Sequence, residues 1–258
     1  MKDVVRGNIV FRYLKTIVIA MVAMMATVAL FGCSANESKS TDEQFVEAVG
    51  KGLEARWAIS DSTDDRLTTD LMNQAISKER DAVKEFREAN FENEELGENA
   101  EAYFEALDEL KGEDYNSSSG LERWMRNYNM RCAALYNINE IKEIPVSQNK
   151  QSNLDELLND GKTAAAALDL MEKVDFVKQE PEYPGQSYIE YKAVVENSSS
   201  VNFSYFTYQI NLVDQDGVVI ENTTASTNDW AAGTKHAFEF TTDKKFEKME
   251  ISSCWWNL

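Results

Sequence analysis

The sequence predicts an α+β protein: an antiparallel helical bundle over residues 41–173, then a small antiparallel β-sandwich over 174–258. Three observations carry the prediction. Up to Lys173, apolar residues recur at steps of three and four, which lines one face of a helix. Beyond Lys173 the step falls to two, and the segments become rich in β-branched and aromatic residues. No strand–helix–strand alternation occurs, so the helical and β parts read as separate modules and not as a doubly wound α/β fold.

The chain opens with Lys2, Arg6, Arg12 and Lys15, followed by an uncharged run of seventeen residues from Thr16 to Gly32. That run is longer than the usual export-signal core of about 7–15 residues. It also lies at the lower limit of about 17 for a membrane-spanning helix. Its far edge decides between them. A spanning helix ends at aromatic or basic anchors, whereas this one ends at Gly32-Cys33 and passes into the polar "SANESKS". The segment Leu30-Phe31-Gly32-Cys33 resembles the lipobox of bacterial lipoproteins. The resemblance implies a signal peptide over 1–32, cleavage between Gly32 and Cys33, and a diacylglyceryl group on the Cys33 sulfur. Phe31 departs from the pattern, which more often has a small or hydroxylated residue there. An uncleaved signal anchor is the alternative. Two acyl chains give stable membrane attachment where one gives only marginal binding. Residues 33–40 then form a tether, and seven residues of it reach at most about 25 Å.

Five helices follow. Thr41 and Gln44 predict a capping box, with Phe45, Val49, Leu53 and Trp57 inward at steps of four and Glu54 and Arg56 solvated beside Trp57. A second helix is predicted from Asp64 or Asp65, with Leu71, Ala75, Ile76, Val83 and Phe86 inward. A third runs from Glu94 to Lys111, and "GEDYNSSSG" breaks the pattern after it. The fourth starts near Leu121, carries Trp124, Tyr128, Cys132 and Leu135 on its apolar face, and is stopped by Pro145. The fifth spans Ser152 to Lys173.

Six strands are predicted next, separated by turn residues at Pro184-Gly185, 197–200, Asp216-Gly217 and Ala232-Gly233. The stretch from Val194 to Phe238 resembles the immunoglobulin-like FxLYD domains of bacterial surface and secreted proteins. Their Asn-ended strand corresponds to Val194–Asn197, and their aromatic strand closing in a D-x-D-G turn to Phe206–Gly217. Where that family often has Leu-Tyr-Asp, this chain has Leu212-Val213-Asp214. The resemblance implies an Ig-like sandwich. The "KGLEARW" segment of the helical part resembles lipoproteins of Gram-positive bacteria that have no assigned activity.

Charge and composition narrow the function. The chain carries 26 basic and 45 acidic residues, net −19. Four of the basic residues and one acidic residue lie in 1–32, which leaves the mature part at −22. Such a surface repels nucleic-acid phosphates, so a nucleic-acid partner is not expected. His236 is the one histidine, which excludes a multi-histidine metal site, and Cys132 and Cys254 are not spaced as a ligand pair. Both are predicted to be buried free thiols. "DQDG" reads as a hairpin turn and not as a calcium loop. No nucleophile elbow or glycine-rich phosphate loop occurs, so neither an enzyme nor a bound cofactor is expected. What remains is binding, to a cell-envelope protein or a glycan. Tyr205, Tyr208, Trp230, Trp255 and Trp256 are the candidate binding surface, because exposed rings stack on sugars or anchor partners. The expected location is the extracytoplasmic face of the cell membrane, through Cys33.

Overall fold

A computed structural model describes residues 39–62, 68–113 and 117–258. The expected signal peptide, the lipobox-like residues 30–33 and most of the expected tether lie outside the described residues. Within them the protein is α+β. Five α-helices precede two antiparallel sheets of three strands each. None of the described helices is long and apolar enough to cross a membrane.

Helix α1 spans Thr41–Asp61. Its capping box lies one residue earlier than the sequence predicts. The Ser40 hydroxyl accepts from the Glu43 amide at 3.1 Å, and the Glu43 carboxylate accepts from the Ser40 amide. Gln44 instead donates to the Lys39 carbonyl at 2.7 Å. Phe45, Val49 and Leu53 are fully buried, and Trp57 packs half-buried at the edge of the same core. Helix α2, Thr69–Val83, is capped by Thr68, several residues after the start expected at Asp64 or Asp65, which lie outside the described residues. A 3-10 turn, Lys84–Phe86, ends it. Helix α3, Glu94–Leu110, is capped by Asn93, and Asp42 of α1 accepts from the amides of Glu92 and Asn93 just before it. Helix α4, Ser118–Ile141, begins before the expected Leu121 because Ser117 caps it.

From α4 the chain returns along α1 as an extended strap. Lys142 pairs with Glu43, the Ser147 amide donates to Glu54, and Lys150 pairs with Asp61. Gly50 makes room for this strap: a Cβ there would lie 2.0 Å from the Pro145 carbonyl oxygen. Helix α5, Gln151–Lys173, belongs to both halves. Leu154 and Leu157 pack into the core made by α1–α4, whereas Ala167 and Leu170, with Val174 just after the helix, pack into the core of the sheets. Gly161 lies against α4, where a Cβ would meet the Cys132 carbonyl oxygen at 2.3 Å.

The strands are β1 Val177–Lys178, β2 Ile189–Glu196, β3 Phe203–Val213, β4 Val219–Trp230, β5 Lys235–Thr242 and β6 Lys248–Asn257. One sheet has the order β1-β2-β5, the other β4-β3-β6. Their facing side chains form one core with Phe206, Tyr208, Trp230 and Phe238 at its centre. Tyr208 and Phe238 meet edge to face at 4.8 Å between ring centres. Asn197, fully buried where β2 ends, ties the corner. Its amide nitrogen donates to the carbonyls of Val201 and Trp230, and its main chain exchanges bonds with Thr234 and Gly233. That is the physical use of an Asn-ended strand. In the "DQDG" turn Asp214 accepts from the amides of Asp216 and Val218 at 2.9 Å each, and Gly217 has φ 80°. The carboxylate closes a hairpin.

Candidate functional site

The five aromatic residues singled out in the sequence divide into two groups. Tyr208 and Trp230 are 0% exposed and do not form a surface. Strand alternation turns Tyr208 inward, where its hydroxyl donates to the Leu170 carbonyl at 3.1 Å. Trp230 should lie on the opposite side of β4 from Ala225 by parity. Asp229, with φ 51°, breaks the alternation and returns Trp230 to the core, where its indole donates to the Thr234 carbonyl. Trp256, opposite Phe206, packs partly buried against the same core. Tyr205 and Trp255 are the two that face outward, both partly exposed.

They lie on the outer face of the β4-β3-β6 sheet, whose composition is read from the register. Tyr205 lies between Asn228 and Asn257, and Thr207 between Ser226 and Trp255. Gln209 lies between Thr224 and Ser253, and Asn211 between Asn222 and Glu250. The first three rows carry no charge. Glu250 in the last row is paired with Lys248. Asn222 donates to the Asn211 side-chain oxygen at 2.6 Å, which orders that end of the face. Among the described residues, the Tyr205 hydroxyl, the Gln209 amide and the Trp255 indole nitrogen have no protein partner and are available to solvent or ligand. The outer face of the other sheet differs: Lys192–Glu239 and Lys235–Glu196 pair across it.

The first turns of α4 stand over one edge of the uncharged face. Ser118, Leu121, Glu122 and Met125 together with Gln209 and Trp255 line an open cleft of about 600 Å³. Leu121 is 45% exposed there, a large apolar side chain left in solvent.

The strongest electrostatics lie elsewhere, in the helical core. Arg56, expected in solvent, is buried, because Glu79 of α2 draws it inward at 2.9 Å. The other Glu79 oxygen accepts from Arg131 Nε at 2.7 Å and from the Tyr103 hydroxyl at 2.6 Å. Burial pushes the Glu79 carboxyl up, but the charges of Arg131 and Arg56 outweigh it and hold the group below its usual range. Burial, with the charge of Glu79, raises Tyr103 well above an ordinary phenol. Two guanidinium groups against one carboxylate leave the cluster at +1, and Arg131 Nη2 and Asn127 Nδ2 are buried donors with no acceptor among the described residues. Fully buried and already accepting three bonds, Glu79 has neither access nor a free oxygen for proton transfer to a substrate. This cluster joins α1, α2, α3 and α4. Its one trace in the sequence is weak: Glu79 falls on the apolar side of the second helix, in step with Ala75 and Val83.

Cys132 and Cys254 are free and buried, and burial raises both thiols, Cys254 to about 12. His236 faces the core side of β5, where its Nδ1 lies 2.7 Å from the Thr227 hydroxyl. Among the described residues no group of three or more His, Cys, Asp or Glu side chains is placed to hold a metal ion.

No family model matches the chain, and no curated protein does. Among solved structures, it is similar to IrmA from Escherichia coli, with 12% identity over 33% of this chain and 77% of that one, at a TM-score of 0.28. It is also similar to the Pseudomonas fluorescens alkylpurine DNA glycosylase AlkC bound to DNA containing an abasic site analog, with 10% identity over 74% and 67%, at a TM-score of 0.16. Likenesses of this strength carry no argument about what the chain does.

Proposed function

We propose that this chain is a non-catalytic extracytoplasmic lipoprotein, held in the cell membrane by a diacylated Cys33, that recognises an envelope component through the outer face of β4-β3-β6. In this reading the signal peptide ends at Gly32 and the helices form a bundle close to the bilayer. The two sheets form an Ig-like sandwich of the FxLYD kind that presents the face outward. The observation that carries recognition is the face itself: uncharged over three rows, bearing Tyr205 and Trp255, on a mature chain of net charge −22. A surface kept for solubility alone would carry charged residues of both signs, as the outer face of the other sheet does. A solute-capturing transport-accessory lipoprotein is the second reading, favoured by the cleft beside Trp255.

The test is a photo-reactive residue at position 255 in the full chain, illuminated in living Gram-positive cells. A discrete adduct at position 255 and none at position 239, on the opposite sheet, is expected. Equal yields at the two positions, or none at 255, overturns the recognition reading.

A further inference from the structure

The geometry points to an uncharged oligosaccharide as the ligand of the β4-β3-β6 face, bound across Tyr205 and Trp255 and reaching the cleft against α4. This inference rests on the recognition reading above and names the chemistry of what is recognised.

Four features argue for it. Tyr205 pairs with Asn257 on β6, and Trp255 is two residues back along that strand, so the two rings are diagonal neighbours on one face. Diagonal pairs are about 7–8 Å apart, which offers two adjoining platforms for the apolar C–H faces of successive sugar rings. Beside the rings stand the exposed side chains of Asn228, Ser226 and Thr224 together with Gln209, whereas Thr207 between them is buried and its hydroxyl donates to the Ala225 carbonyl. Each such group both donates and accepts, and a sugar hydroxyl asks for the same pair of roles. The face is also neutral in a strongly acidic protein. An anionic glycan or nucleic acid meets the field of a body at −22, whereas a neutral chain meets none. Finally, the open cleft against α4 adjoins Trp255, and Glu122 in its lining supplies a carboxylate acceptor for hydroxyl groups. A protein partner fits less well. Protein hot spots concentrate aromatic and arginine side chains in a desolvated centre and under-represent serine and threonine, which fill this face.

The test uses the full chain in a sugar-free detergent, titrated with neutral hexasaccharides of β-1,4-glucose, α-1,4-glucose, mannose, xylose and N-acetylglucosamine, and with an acidic oligogalacturonate. Calorimetry is the readout. At least one neutral hexasaccharide is expected to bind saturably at micromolar to millimolar concentration, and the oligogalacturonate is not. Trp255→Ala and Tyr205→Ala should each weaken binding by about tenfold or more, while Lys192→Ala on the other sheet leaves it unchanged. If Trp255→Ala loses its native circular dichroism, Tyr205→Ala decides. No saturable binding by any neutral hexasaccharide, or wild-type affinity in both aromatic variants, overturns the inference. A protein adduct at position 255 in the cross-linking experiment would sink the glycan and leave the recognition reading standing.

Discussion

Glu79→Gln tests the physical account of the helical core. The substitution keeps the size of the side chain and removes its charge, so Arg56 and Arg131, 8% and 1% exposed, stay buried with no counter-ion. Removing one partner of a buried ion pair costs about 3–5 kcal/mol. A domain is stable by about 5–15 kcal/mol, so a large share of the total goes. The converse variant, Arg131→Met, should cost much less. It leaves Glu79 paired with Arg56, takes the cluster from +1 to neutral, and removes the unpartnered Arg131 Nη2. Urea unfolding at pH 7 measures both, with an unchanged denaturant slope as the control for two-state behaviour. Acid adds a second signature. The folded carboxyl lies below its reference value of 4.5, so the unfolded chain binds the extra proton first. The contribution of Glu79 is therefore present above about pH 4.5 and is lost as the pH falls through the folded value. Glu79→Gln should flatten that part of the profile. A cost below about 1 kcal/mol for Glu79→Gln, or equal costs for the two variants, refutes the charge accounting.

Other consequences follow from single residues. Gly161→Ala drives a methyl to 2.3 Å from the Cys132 carbonyl oxygen, and thermal melts should show at least the 1–3 kcal/mol (roughly) typical of an overpacked contact. Ser40→Ala removes the α1 cap and should cost about 1 kcal/mol in the same assay, whereas Thr41→Ala should cost less. Trp230→Ala empties the sheet core and should cost about 3–5 kcal/mol, far more than Trp255→Ala on the outer face. Neither Cys132 nor Cys254 should react with a thiol reagent until the protein is unfolded, because both are buried and their thiolates are disfavoured.

Periodicity made much of this architecture legible. The stripe Phe45, Val49, Leu53 is buried as its spacing predicts, and β5 occupies Lys235–Thr242 as its alternation predicts. Pairings between distant segments were not legible. Arg56 looks solvated in sequence because the carboxylate that buries it lies 23 residues away on another helix. Trp230 is a surface candidate in the sequence only as one of several aromatic residues, and no local pattern announces the positive φ of Asp229 that precedes its buried place. The uncharged face is not legible in the sequence for a related reason. Its residues alternate with core residues along three strands, and only the register of β3 with β4 and β6 brings them together.

In the proposed function the working protein begins at a lipidated Cys33. Labelling cells with palmitate, with and without globomycin, tests it most directly. Label is expected on the full chain and not on Cys33→Ala, with the longer, uncleaved form retained when globomycin blocks the lipoprotein signal peptidase. Label on Cys33→Ala equal to that on the natural chain would contradict it.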